Sequence, residues 1–127
     1  MNLTDIALVA GGGAVGAVAR FQVSWVATAL LGTRFPFGTL IANVAGCLLL
    51  GALAALSVST HHISPAARLA LGTGFLGAFT TFSTFSYEAV LLLQGGEAGK
   101  ALGYVGGSVL AGIALVVVGL GVGRAIG

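Results

Sequence analysis

A run of side-chain hydroxyls interrupts an otherwise apolar part of the chain. Residues 74–88 read GFLGAFTTFSTFSYE, so phenylalanines alternate with threonines and serines. Hydroxyls can replace water around a small ion, and the positive edge of a phenyl ring can contact an anion. Phe82 and Phe85 are three residues apart and point the same way on a helix. Packing is the simpler explanation of such a pair, and spacing alone does not exclude it.

The glycines before this run predict an interruption of the helix. Gly77 precedes Thr80 and Thr81 among β-branched and aromatic residues, which form helices poorly in water. In lipid, an interruption is tolerated only where the freed backbone groups meet protein or line a cavity. We therefore expect a break at residues 77–80, whose unwound carbonyls would suit a buried Na⁺.

Other polar side chains lie within apolar segments, where lipid cannot satisfy them. Arg20 lies deep in the first segment, at a cost of about 2.5–3.5 kcal/mol, so it either snorkels or faces a water-filled vestibule for an anion. Asn43 can serve a helix–helix contact or a pore. Tyr104 and Ser108 are four residues apart and share a helix face. An interfacial position for Tyr104 and a backbone hydrogen bond for Ser108 explain them as well.

The composition indicates an integral membrane protein. The 127 residues are 57% hydrophobic and 6% charged, whereas soluble domains average about 25% charged residues. Residues 35–67, 69–87 and 101–123 contain no Asp, Glu, Lys or Arg, and a spanning helix needs about 20 apolar residues. We expect one all-α domain over residues 1–127, with helices at about 6–31, 39–58, 66–93 and 98–125, the third broken mid-membrane. The short loops between them favour antiparallel neighbours.

Small residues recur at intervals of four along three of the predicted helices. This spacing places them on one helix face, where backbones can approach closely in lipid. The pairs and triplets are Gly12/Gly16, Gly13/Ala17, Ala42/Gly46, Gly103/Gly107/Ala111 and Gly119/Gly123. The pattern predicts tight packing and indicates a homo-oligomer only weakly.

The basic residues favour neither orientation across a membrane. Arg68 and Arg124 fall at one end of the predicted bundle, and Arg34 and Lys100 fall at the other. A single basic residue or the insertion machinery can decide the orientation of such a chain. The alternative is that the chain inserts both ways and pairs head to tail.

Three stretches together resemble the Fluc (CrcB) fluoride channel family. They are GAVARF with Arg20, FGTLIANVAGCLLLG with Asn43, and GFLGAFTTFSTFSYE. The resemblance extends over nearly the whole chain. It implies a multi-pass protein of the cell (inner) membrane that exports fluoride passively and selectively. It further implies an antiparallel dual-topology homodimer with two pores and a structural Na⁺ at its centre.

The same resemblance implies roles for individual residues. Phe82 and Phe85 match the phenylalanines that contact fluoride, Asn43 matches the pore amide, and Arg20 matches the vestibule arginine. The remaining matches are the carbonyls of Gly77 and Thr80 for Na⁺, and Thr81, Ser83, Thr84, Tyr104 and Ser108 for the pore. Gly112 lacks the hydroxyl that relatives often carry there. Only the resemblance selects fluoride over chloride or another small anion.

Two other classes remain open from the residues themselves. A dual-topology proton-coupled exporter would need an ionisable carrier deep in a span, whereas Asp5 lies at the N-terminus and Glu88 lies toward a helix end. A non-transporting assembly subunit would need none of the polar groups inside the bilayer. We predict no enzymatic activity, since no nucleophile–base pair or metal-ligand cluster appears and His61 and His62 are adjacent loop residues. The scattered basic residues form no nucleic-acid patch.

Overall fold

The chain forms helices joined by short turns, as described by a computed structural model for residues 1–59 and 63–127. In chain order the helices are α1 (Leu3–Leu31), α2 (Phe37–Ser59), α3 (Pro65–Arg68), a π-helix (Leu69–Leu76), α4 (Gly77–Phe79), α5 (Phe82–Gln94) and α6 (Ala98–Ile126). The segment from Pro65 to Gln94 is called the third span below. The predicted loop positions of His61 and His62 lie outside the described residues.

Local capping explains where α1 begins and ends. The predicted start at Ile6 is late, because the Asn2 side chain accepts a hydrogen bond from the Asp5 amide at 2.9 Å. The Asp5 carboxylate in turn accepts from the Asn2 amide at 3.1 Å, which completes a reciprocal cap and starts the helix at Leu3. At the other end, Gly32 adopts a positive φ of 84° and donates its amide to the Thr28 carbonyl.

The third span is not a continuous α-helix. Ser64 caps its start through the Ala67 amide, and Pro65 occupies the first turn, where its missing amide proton costs no helical hydrogen bond. A π-helix follows α3, and then Thr80 (φ −90°, ψ 157°) and Thr81 (φ −152°, ψ 121°) are extended between α4 and α5. The predicted break at residues 77–80 begins too early, because Gly77 is helical at φ −60° and ψ −36°. Gly77 therefore does not use the conformational freedom of glycine, contrary to expectation.

Glycine notches bring the long helices into backbone contact. On α6, a Cβ added to Gly119 would overlap the carbonyl oxygen of Leu48, so α6 lies directly against α2. Gly51 of α2 receives α6 in the same way, at the carbonyl of Val116. Gly123 continues the same α6 face toward α2. The close packing predicted from these small residues is present.

The triplet containing Gly103 and Gly107 behaves differently. Both residues are exposed, and a Cβ added to either would meet no atom within 4 Å. The face of α6 that carries Gly103 and Gly107 therefore has no packing partner within the described chain.

Large apolar side chains cover the outside of the bundle. Exposed examples on three helices include Phe21, Trp25, Leu49, Leu110 and Val117. The described chain contains four helical segments long and apolar enough to cross a membrane, at Leu3–Leu31, Phe37–Ser59, Pro65–Gln94 and Ala98–Ile126. Exposed apolar surface is costly in water and favourable in lipid, so the expected all-helical, multi-pass membrane architecture is confirmed.

Candidate functional site

Asn43 of α2 satisfies both backbone groups of Thr81 at the interruption. Its amide nitrogen donates to the Thr81 carbonyl at 3.0 Å, and its amide oxygen accepts from the Thr81 amide at 2.8 Å. This paired contact substitutes for the helical hydrogen bonds that Thr81 cannot make in its extended conformation. Gly46, one turn further along α2, leaves the space that the Thr80 methyl group occupies.

Further side chains satisfy the neighbouring groups of the interruption. The Arg20 guanidinium donates through Nε to the Ala78 carbonyl at 3.1 Å. The Thr81 hydroxyl accepts from the Thr84 amide at 3.2 Å and thereby caps α5. The Thr80 hydroxyl donates to the Leu76 carbonyl at 2.9 Å. A sequence-predicted vestibule residue and two predicted pore residues thus also hold the fold together.

Two carbonyls lose their usual helical donors because of this arrangement. In an α-helix the Gly77 carbonyl would accept from the Thr81 amide, which donates to Asn43 instead. The Thr80 carbonyl would accept from the Thr84 amide, which donates to the Thr81 hydroxyl instead. Gly77 is exposed and Thr80 is half-buried. These are the two carbonyls that the sequence resemblance assigns to Na⁺.

A cavity of about 370 Å³ lies beside the interruption, and we call it the break cavity. Its wall brings together most of the predicted site residues, namely Asn43, Gly77, Thr80, Thr81, Phe82, Phe85 and Ser108. Cys47 also lines it, and the Cys47 sulfur lies beside Gly112. The predicted residues Arg20, Ser83, Thr84 and Tyr104 are not part of this wall.

The two predicted phenylalanines differ strongly in exposure. Phe82 is 83% exposed, whereas Phe85 is only 8% exposed. Their ring centroids are 6.0 Å apart with a tilt of 33°, so both rings lie at the break cavity as their spacing predicts. Phe85 also packs on Tyr104 with centroids 5.0 Å apart. Phe85 is therefore held by the core of the bundle, and Phe82 extends outward from the chain.

Ser108 carries a buried hydroxyl toward the same cavity. Its Oγ has no hydrogen-bond partner among the described residues. The alternative predicted from sequence, a bond back to its own helix, is therefore not made. A buried hydroxyl without a partner costs about 1–3 kcal/mol, so an unexplained group of this kind calls for a ligand or water.

Tyr104 is buried rather than interfacial. It is 1% exposed, and its hydroxyl donates to the Glu88 carboxylate at 3.1 Å, with the Thr39 side chain also in hydrogen-bonding contact. Glu88 and Thr39 belong to a second cavity of about 290 Å³ beside the turn at residues 32–38. Ser24, Thr28 and Arg34 line it too, and we call it the loop cavity.

Glu88 was predicted to lie toward a helix end and was not among the predicted site residues. Glu88 and Tyr104 are sixteen residues apart, on two helices joined by a short turn. Antiparallel helices joined in this way can bring two such residues into contact. Ser83 is exposed and Thr84 is half-buried, and neither lines either of the two cavities.

Four apolar spans around an interruption, beside a mainly apolar cavity that carries a few polar groups, define a multi-pass membrane protein of the ion-conducting or transporting class. No group of three His, Cys, Asp or Glu side chains converges in the two described ranges, so a side-chain metal centre does not contribute there. The polar groups at the cavity are amides, hydroxyls and backbone atoms, which bind ions by replacing their water.

Comparison with known proteins identifies the family. The profile described as "CrcB-like protein, Camphor Resistance (CrcB)" matches residues 7–120. A protein of Acidobacterium capsulatum named "Fluoride-specific ion channel FluC" is 51% identical over 120 residues, covering 93% of this chain and 94% of the relative. Proteins of the same name from Chlorobium phaeobacteroides and Chloroflexus aurantiacus are 52% and 43% identical, over 84% and 98% of this chain and 82% and 99% of the relatives.

The chain belongs to the CrcB family. The predicted resemblance is confirmed, and so is the prediction that the protein is not an enzyme, because the curated relatives are named as ion channels.

Proposed function

We propose that this chain is a passive channel that exports fluoride selectively across the cell's inner membrane. The relatives' names supply the ion. The observation that carries the proposal is the wall of the break cavity, where two phenylalanine rings and the unpartnered Ser108 hydroxyl meet. Ring edges and hydroxyl donors can replace the water around a small anion without a fixed positive charge that would trap it.

The path runs through residues that differ in what they offer the anion. Ser108 donates its hydroxyl, and Phe82 and Phe85 present their ring edges. The Nε of Arg20 bonds to Ala78, so the terminal nitrogens of the guanidinium remain as donors at an entrance vestibule. The Tyr104 hydroxyl donates to the carboxylate of Glu88, which lines the loop cavity, and we assign Tyr104 to the pore as a positioning contact. We assign Asn43, Thr81, Ser83 and Thr84 to the remaining pore positions.

The active form is an antiparallel homodimer with two pores. The exposure of Phe82 supports this arrangement, because a ring that lines a narrow path needs a second surface opposite it. Gly77 is likewise exposed, and the glycine face around Gly103 and Gly107 has no packing partner within the chain. The equal numbers of basic residues at the two ends permit insertion in both orientations.

A structural Na⁺ binds at the dimer centre through backbone carbonyls. The Gly77 and Thr80 carbonyls fit this ion, because both have lost their helical donors and both are hard oxygen ligands. The ion would supply positive charge that compensates carbonyls from both subunits. The Ala78 carbonyl does not belong to the set, since Arg20 already occupies it.

Efflux from proteoliposomes tests the function directly. Vesicles loaded with potassium fluoride or potassium chloride receive valinomycin, and an ion-selective electrode follows release. We expect rapid fluoride efflux with a protonophore present and no chloride efflux. Chloride release at the same rate would contradict the proposed selectivity. Fluoride movement only when protons move the other way would favour an exporter that uses the half-buried Glu88, and no movement would favour an assembly subunit.

Matched phenylalanine variants test the cavity wall. Phe82→Ile and Phe85→Ile keep apolar bulk and remove the ring edges, so we expect flux to fall sharply. Phe79→Ile is the control, because Phe79 is a buried ring that stacks on Phe75 and does not line the break cavity. Equal flux in all three variants would indicate that Phe82 and Phe85 serve packing and do not line the anion path.

Fixed-orientation variants test the dimer. Two lysines added at one end of the bundle should bias every copy one way and abolish flux, and a second copy biased the other way should restore it. Full flux from a single fixed orientation would rule out the antiparallel arrangement.

Replacement of Na⁺ by N-methylglucamine during purification tests the structural ion. It should lower the thermal stability of the detergent-solubilised dimer, whereas unchanged stability would contradict the Na⁺ site. Because Gly77 is helical, Gly77→Val would act through crowding at the dimer centre. Thr80→Ser should keep Na⁺ binding, since the ion would use only the main-chain oxygen of Thr80, and its effect on stability should come from loss of the methyl group beside Gly46.

A further inference from the structure

One face of α1 lies against peptide groups of the π-helix. Gly12 and Gly16 are four residues apart and share this face. A Cβ added to Gly12 would overlap the carbonyl oxygen of Ala70, and one added to Gly16 would overlap that of Phe75. Each glycine is therefore a notch that receives one carbonyl of the third span.

The same face continues to a polar contact one turn further along. Arg20 follows Gly16 by four residues, and its Nε donates to the Ala78 carbonyl at 3.1 Å. Residues 12, 16 and 20 of α1 thus each meet a different backbone carbonyl of the third span, in order along the helix.

The spacing of the two glycine contacts matches a π-helix and not an α-helix. Ala70 and Phe75 are five residues apart, which is one hydrogen-bonded turn of a π-helix. An α-helix turns by 360° in 3.6 residues, so five residues would place the two peptide groups about 140° apart around its axis. The two notches can therefore both be filled only while residues 69–76 keep the wider turn.

We propose that Gly12, Gly16 and Arg20 form a template that holds the π-helix in register and so positions the interruption at Thr80 and Thr81. Through the interruption, the template sets where Phe82 and Phe85 lie at the break cavity. These three are positioning residues, and for Arg20 this role adds to its place in the vestibule. The consequence for conduction rests on the proposed function, whereas the template itself does not.

Hydrogen–deuterium exchange of the reconstituted protein tests the template without any ion flux. The variants are Gly12→Ala and Gly16→Ala, and the control is Gly11→Ala, since a Cβ at Gly11 would meet no atom within 4 Å. Overpacking a close contact by one carbon is enough to raise local opening by about tenfold. We expect peptides covering residues 79–86 to exchange about tenfold faster in the two test variants, and at the wild-type rate in Gly11→Ala.

Flux measurements on the same vesicles separate the two hypotheses. Gly12→Ala and Gly16→Ala should lower the maximal fluoride efflux, whereas Gly11→Ala should not. If exchange rises as expected but wild-type vesicles release no fluoride, the proposed function fails and the template stands. If wild-type vesicles conduct and exchange in Gly16→Ala equals that in Gly11→Ala, the template is wrong.

Arg20 variants keep the test valid if both glycine variants fail to fold. Arg20→Gln retains a donor for the Ala78 carbonyl, whereas Arg20→Met has similar length and no donor. A positioning role predicts near-normal exchange over residues 79–86 in Arg20→Gln and faster exchange in Arg20→Met. Equal exchange in the two variants would overturn it, because a role confined to charge in the vestibule is lost equally in both.

Discussion

Replacement of Asn43 by leucine should destabilise the protein by removing both hydrogen bonds to the Thr81 backbone. Leucine keeps the approximate volume and apolar character of the position, and the two contacts of 3.0 and 2.8 Å are lost together. Hydrogen bonds between membrane helices average about 0.6 kcal/mol, which sets a lower estimate of about 1 kcal/mol for the pair. An unsatisfied buried backbone group costs about 1–3 kcal/mol, which sets an upper estimate of about 6 kcal/mol for two.

Unfolding by SDS in mixed micelles, followed by circular dichroism, measures this difference. Ser57→Ala is the matched control on α2, since among residues 1–59 and 63–127 the Ser57 hydroxyl bonds to the Leu53 carbonyl of its own helix. The control should stay within about 0.5 kcal/mol of the wild type. An Asn43→Leu protein as stable as Ser57→Ala would refute the view that Asn43 stabilises the interruption.

Two further substitutions have controls of the same residue type on α5 or α6. Tyr104→Phe should destabilise by about 1–3 kcal/mol, because it leaves the Glu88 carboxylate without its hydroxyl donor, whereas the 64%-exposed Tyr87 should tolerate Tyr87→Phe within about 0.5 kcal/mol. Equal SDS unfolding curves for the two would contradict the buried contact. Gly119→Ala should cost about 1–3 kcal/mol by pushing α6 off the Leu48 carbonyl, whereas Gly121→Ala meets no atom within 4 Å and should be neutral. Equal stability of the two glycine variants would show that α6 does not lie directly against α2.

The four spans were predictable because lipid imposes a simple rule on composition. Long stretches without charge must be helical to satisfy their backbone groups, and glycine and proline punctuate the turns between them. The start of α1 was misplaced for a local reason. The reciprocal cap consists of Asn2 and Asp5, and a prediction from hydropathy alone does not detect such a cap.

The interruption was predictable in kind and misplaced by a few residues. Glycine at position 77 suggested unwinding there, but the helix continues to Phe79. The extended residues are Thr80 and Thr81, and the Asn43 side chain of α2 satisfies both backbone groups of Thr81. Such donors and acceptors lie 38 residues away in sequence, so local propensity cannot locate them. The π-helix before the interruption has no simple sequence signature for the same reason.

The sequence indicated which side chains lie at the candidate site better than it indicated which atoms those side chains contact. Asn43, Phe82, Phe85 and Ser108 do meet at one cavity. Arg20 and Thr81 contact backbone groups, which carry no sequence signal that would identify them as partners. Glu88 was missed because a carboxylate near a helix end is usually solvated, whereas here the partner is a buried tyrosine on the next helix.

These contacts change what a loss of flux in a variant would mean. Asn43 and Arg20 stabilise the interruption, and the interruption in turn positions the phenylalanines at the cavity. A variant of either residue can therefore lose conduction without the wild-type side chain ever touching an ion. Ser108 is different, because its hydroxyl has no hydrogen-bond partner in the described chain and its removal breaks no hydrogen bond there. Loss of flux in Ser108→Ala with unchanged unfolding would assign that hydroxyl to the ion path, and unchanged flux would remove it from the path.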